Sequence, residues 1–139
     1  MTGTRLFLDT FFVQALLNAA DSYHERAKLF LPHVASAAEV VITEAVLIEI
    51  GNALSVRLRV PAAVFIQRCY TTLNITVVPV DTRLFLRAVA LFESRSDKTW
   101  GLTDCVSFVV MRDRDITDAA TGDRHFQQAG FRPLMLDLG

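Results

Sequence analysis

Only two cysteines, Cys69 and Cys105, occur in 139 residues, and they form no CxxC pair and match no zinc-ligand spacing. A disulfide scaffold and a zinc-finger fold are thereby excluded, and two buried thiols in a reduced, cytoplasmic setting are the plain expectation. Glycine and proline, at 6 and 4 residues, are too scarce for a collagenous or low-complexity chain, and 52% hydrophobic against 21% charged residues excludes intrinsic disorder. Uninterrupted apolar runs of about 18–20 residues, the length a membrane span needs, are missing because charges recur throughout. The N-terminal stretch imitates an export signal, with Arg5 ahead of apolar residues, but Asp9 interrupts it, and a carboxylate there costs about 2.5–3.5 kcal/mol on insertion. Net charge is missing too: at −1 the molecule does not attract nucleic acid by general basicity. Twelve of the fourteen basic residues are nevertheless Arg, whose planar fork suits phosphate.

A chain of this length is expected to bury one core, as a single domain over residues 1–139. Arg5 to Leu8 is a short apolar run, and Phe11 to Ala20 then carries apolar residues at helical spacing behind Asp9 and Thr10, either of which can cap a helix. Ser22 to Leu31 reads as a helix ending at Pro32, Glu39 to Ile42 as a strand, and Thr43 to Arg57 as a helix capped by Thr43. A helix fits Pro61 to Leu73 with proline at its first position. Ile75 to Val80 alternates and is β-branched, so it reads as a strand, and Asp81 begins a helix to about Arg95. After a polar loop, Thr103 is expected to cap a helix through Met111. A strand over Ile116 to Thr121, a short helix over Asp123 to Ala129 and a strand over Phe131 to Leu136 complete the chain. Strands alternating with helices imply an α/β fold: a central parallel sheet of four to five strands with helices on both faces.

Ligands of such a sheet bind beyond the carboxyl ends of its strands, where the strand order reverses. The residues that follow the strands are Asp9, Thr43 with Glu44, Asp81 and Asp123. Any one of them serves as a helix cap, satisfying orphan N–H groups and complementing the helix dipole. Several carboxylates at one end of a fold, however, repel one another unless a cation or protons compensate. Magnesium or manganese suits such a site, since it takes oxygen ligands and keeps positions for water and substrate phosphate. Two further acids lie inside helices. Glu49 shares its helical face with Ala45, Val46, Asn52, Ala53 and Val56, so its carboxylate is expected to be partly buried, with Asn52 as a possible partner. Asp104 sits in the first turn of an almost wholly apolar helix and is expected where the core opens.

The segments LFLDTFFVQALLN, VITEAVLIEIGNAL, DKTWGLTDCVSFVVM and TGDRHFQQAGF resemble, in order and spacing, the PIN-domain ribonucleases, most closely the VapC-type toxins of bacterial toxin–antitoxin pairs. The resemblance spans essentially the whole chain. It implies a metal-dependent endoribonuclease using Mg²⁺ or Mn²⁺ to hydrolyse RNA, with Asp9, Glu49, Asp104 and Asp123 as the catalytic and metal-binding acids. It also implies an RNA substrate and a cognate antitoxin that blocks the acidic site; ten Phe and a positive mean hydropathy fit a homodimer and antitoxin docking, and the broken apolar runs leave no membrane to be expected. Asp9, Asp104 and Asp123 are the expected metal ligands and Glu49 the acid that orients or deprotonates water. Strand ends alone favour Glu44 over Glu49; the resemblance and the helical face favour Glu49, leaving Glu44 and Asp81 as caps. Asp97 can join the site or order its loop through Trp100. Thr10, Thr103 and Ser107 are candidates for supporting the acids. His125 is read as a structural residue of its short helix, and Arg57, Arg59, Lys98 and Arg124 as candidate phosphate contacts.

Two other functional classes fit the sequence less well. A phosphatase with an aspartyl nucleophile wants Asp-x-Asp after the first strand and a late Lys, whereas this chain has Asp9-Thr10-Phe11 and only Lys28 and Lys98. A phospho-receiver or other acidic-pocket module would bind metal without cleaving RNA.

Overall fold

The computed structural model describes residues 3–138, so the two ends of the span expected to form one domain lie outside it. The elements in order are β1 (Arg5–Leu8), α1 (Thr10–Leu17), α2 (His24–Ser36), β2 (Glu39–Thr43), α3 (Glu44–Ala53), α4 (Arg59–Cys69) and β3 (Ile75–Val78). Then follow α5 (Thr82–Ser94), α6 (Leu102–Asp113), β4 (Asp118–Ala120), α7 (Arg124–Gln128), β5 (Arg132–Pro133) and a 3₁₀ turn (Leu134–Leu138). All pairings are parallel, in the order β3-β2-β1-β4-β5. β1 is central, with Phe7 opposite Val41 on one side and Ala119 on the other.

Consecutive residues of the inner strands are buried: Leu6, Phe7 and Leu8 on β1, and Val40, Val41 and Ile42 on β2. Neighbours along a strand point to opposite faces, so both faces of this sheet are covered. The connections from β1 to β2 to β3 step one way along the sheet, and those to β4 and β5 return past β1. Right-handed crossovers then put α1–α4 and α5–α7 on opposite faces. An aromatic cluster fastens α6 and α7 to the central strand: Phe108 meets Phe126 at 5.1 Å, Trp100 at 5.0 Å and Phe131 at 5.6 Å, and Phe126 meets Phe7 at 6.3 Å. Such ring pairs add about 0.5–1.5 kcal/mol each beyond area burial.

Five local expectations are corrected. α2 runs through Pro32 to Ser36; the buried Phe30 and Val34, with Phe30 edge-on to Phe12 at 5.9 Å, hold a turn that proline weakens by about 3 kcal/mol. α3 stops at Ala53 instead of Arg57, and α4 takes Pro61 at its third position, still within the turn whose N–H groups lack partners. Thr103 does not cap α6; Gly101 is the N-cap, its N–H donating to Asp104 Oδ2 at 3.2 Å. The last strand is only Arg132–Pro133, because the chain turns so that the Met135 N–H reaches the Thr121 carbonyl at 3.1 Å. Thr43 and Asp81 cap α3 and α5 as expected, accepting from Val46 N at 3.2 Å and Leu84 N at 2.8 Å. Both cysteines are free and buried, and burial pushes the Cys69 thiol up to about 11, far from a reactive thiolate. Among the described residues no helix is long and apolar enough to cross a membrane.

Candidate active site

The strand order reverses between β1 and β4, and the acids that follow those two strands meet there. Asp9 caps α1 and is 5% exposed; its Oδ2 accepts from Phe11 N at 3.4 Å and from the Thr121 hydroxyl at 2.7 Å. Asp123 caps α7, its Oδ1 accepting from His125 N at 2.9 Å. Thr121 joins the two strand ends: its single O–H goes to Asp9, and its lone pair accepts the Asp123 N–H at 3.0 Å. Gly122 between them lies so close to Phe11 that a Cβ would come within 2.7 Å of that ring.

Asp104 enters from the first turn of α6. Its Oδ2 accepts twice, from Gly101 N at 3.2 Å and from the His125 ring at 2.9 Å. One ligand atom each from Asp104, Asp123 and His125 lie within 4.8 Å of one another. Burial, reinforced by the Asp104 and Asp123 charges, pushes the Asp9 carboxyl up to about 7 despite the Thr121 hydrogen bond. Burial also raises Asp104, with Asp123 adding to the effect and His125 opposing it. Three carboxylates therefore share a partly desolvated space with too little positive charge to satisfy them.

The donor set fits a hard divalent cation. The recorded bonds to Asp104 fall on Oδ2 and those to Asp123 on Oδ1, and among the described residues the second oxygen of each accepts none. The Thr10 hydroxyl, buried beside Asp9 in the sequence, has no hydrogen-bond partner among the described residues. Anchored carboxylates with a free oxygen, and an unmet hydroxyl nearby, match a cation that keeps water in its shell.

Other expected residues lie differently. Glu49 is exposed on α3, not partly buried, and forms no hydrogen bond with Asn52. The inward stripe of α3 is Val46, Leu47 and Ile50, which leaves Glu49 at its edge. α3 packs against both α1, which Asp9 caps, and α6, whose first turn carries Asp104. Glu44 faces α4, accepting from the Tyr70 hydroxyl at 2.7 Å. Asp97 orders its loop: it binds Arg95 through two bonds of 3.0 Å, and that guanidinium lies 5.1 Å over the Trp100 ring. Ser107 bonds along its own helix to the Thr103 carbonyl at 3.0 Å. Arg57, Arg59 and Arg124 are exposed, and Lys98 lies 3.8 Å from Asp97. Sequence reasoning missed Thr121 and gave His125 no contact with the acids. Thr121 has one local signal, a hydroxyl two residues before a capping aspartate.

The PIN-domain sequence profile matches residues 6–132. Among solved structures, the chain is similar to VapC20 of Mycobacterium tuberculosis, described as a sarcin–ricin-loop-cleaving toxin. The identity is 29% and the TM-score 0.82, over 92% of this chain and 97% of that one. FitAcB from Neisseria gonorrhoeae shares the fold at 17% identity and a TM-score of 0.61, over 93% of this chain and 98% of that one. No curated protein sequence matches. Acids gathered at the β1/β4 switch point and a profile that spans nearly the whole chain agree: the chain belongs to the PIN-domain family.

Proposed function

We propose that residues 1–139 form one PIN-like nuclease domain, a divalent-metal-dependent endoribonuclease that serves as the toxin of a toxin–antitoxin pair. The observation that carries the reading is the convergence of Asp9, Asp104 and Asp123 on one space, with burial raising Asp9 and Asp104. Similarity to VapC20 supports RNA as substrate, and the sarcin–ricin loop as its first candidate. Asp9, Asp104 and Asp123 would hold Mg²⁺ or Mn²⁺, which supplies charge for the phosphate and lowers the pKa of bound water. Glu49, exposed on α3, would accept a proton from the attacking water at its carboxylate. Arg57, Arg59, Lys98 and Arg124 would bind flanking phosphates. A cognate antitoxin would neutralise the acids with an arginine, and a homodimer in the cytoplasm is the expected working form.

The test is cleavage of total cellular RNA by purified protein with Mn²⁺ or Mg²⁺, against Asp104→Asn and a chelator control. Discrete fragments that disappear in both controls, a loss of about a thousandfold or more, are expected. Metal binding that depends on Asp104 without any cleavage would instead favour an acidic-pocket binding module.

A further inference from the structure

His125 is the one member of the cluster that is not a carboxylate, and its ring is held at both ends. Nδ1 lies 2.9 Å from Asp104 Oδ2 and 3.6 Å from Asp123 Oδ1, and Nε2 lies 3.2 Å from the Thr99 hydroxyl. A carboxylate oxygen only accepts, so Nδ1 carries the hydrogen; in the neutral ring Nε2 then accepts from Thr99. Thr99 is itself fixed by its neighbour: the buried Trp100 packs on Phe108 and donates from Nε1 to Gln128 Oε1 at 3.0 Å. The loop before α6 is therefore pinned to α7, and the imidazole has little freedom to leave Asp104.

The consequence falls on Asp104. With Gly101 N and His125 Nδ1 both on Oδ2, rotation of the carboxylate is blocked and Oδ1 is left as its open oxygen. We propose that His125, oriented by Thr99, is a positioning residue that presents Oδ1 of Asp104 to the cation and does not ligate the cation itself. This rests on the metal-site reading above. Partners that orient a ligand in this way typically change metal affinity by about 10–100-fold when removed.

The probe is Mn²⁺ alone, titrated into the full chain by calorimetry without RNA, with the bound ion followed by electron paramagnetic resonance. His125→Ala is expected to weaken Mn²⁺ by about 10–100-fold. His125→Asn restores a donor at the Nδ1 position and should recover most of that loss, while Thr99→Val should lose a smaller part. Thermal melts of each variant separate these changes from misfolding, and Thr99→Val, which alters none of the acids and keeps the imidazole, keeps the test available if His125→Ala does not fold. Nitrogen coupling to Mn²⁺ in pulsed resonance spectra of the wild type would make His125 a ligand and overturn the proposal. So would unchanged affinity in a folded His125→Ala when Asp104→Asn abolishes binding. If the wild type binds no Mn²⁺, the metal-site reading fails, and the proposal with it.

Discussion

The two halves of the sheet end in the same residue types and do different things with them. Beyond β2 and β3, Thr43 and Asp81 cap helices and Glu44 accepts from the Tyr70 hydroxyl, so each polar group has its own partner. Beyond β1 and β4, Asp9 and Asp123 also cap helices, yet they share a space with Asp104. The difference is topological. Successive connections from β1 to β3 step in one direction, so their helices line up on one face. Between β1 and β4 the direction reverses, helices depart to opposite faces, and a crevice opens into which α6 delivers a third acid. A capping aspartate is thus structural or functional according to where its strand stands in the order, not according to its local sequence.

The largest effect should separate the two glutamates of α3. Glu49→Gln should lower kcat for RNA cleavage by about 10²–10⁴-fold, while Glu44→Gln, which disturbs only the Tyr70 contact, leaves it within about twofold. Equal losses in single-turnover kinetics would erase the distinction drawn between them.

Next in size is stability against pH. The Asp9 carboxyl stands at about 7 when folded against an ordinary 3.8, so between those values the native state keeps a proton that the unfolded chain releases. Its contribution is fully present below about pH 4 and is lost as pH rises through about 7, on the order of 4 kcal/mol at most. Urea denaturation in chelator should show this decline, which Asp9→Asn removes and Mn²⁺ offsets. A slope that survives in Asp9→Asn would assign it to other groups, Asp104 first, whose shift has the same sign.

Asp81→Ala should cost about 1 kcal/mol in the same denaturation experiment and leave cleavage intact, as a cap outside the crevice must. The smallest effect is expected at the rim. Arg57→Ala and Arg59→Ala should each reduce the salt slope of RNA binding by roughly 0.7–0.9, and slopes that do not change would make both residues ordinary surface charge.

How far the sequence was legible follows the range of the interactions involved. Hydrophobic period and capping residues act within a turn or two, and they located the main strands and helices together with Asp9 and Asp123. Pro32 misled because the packing of Phe30 against Phe12, from another element, outweighs a local penalty. Thr103 misled because a glycine with a suitable backbone and an aspartate three residues on can start a helix equally well. Asp104 was legible from the apolar run that follows it, whereas the helical-face argument for Glu49 failed because its side chain lies exposed at the edge of the stripe, which leaves its rank above Glu44 to family resemblance. The link from Thr121 to Asp9 spans 112 residues, and that of His125 to Asp104 spans 21; neither leaves a periodic trace.

The contact between Gly122 and Phe11 carries this into the history such a chain can have. With 2.7 Å between the ring and any Cβ, a larger residue at position 122 is admitted only if the ring at 11 swings off Tyr23 or is replaced by something smaller. Positions 11 and 122 are therefore not free to drift separately: descendants of this sequence should change them as a pair or not at all, and the gap between the two capping aspartates is inherited with them.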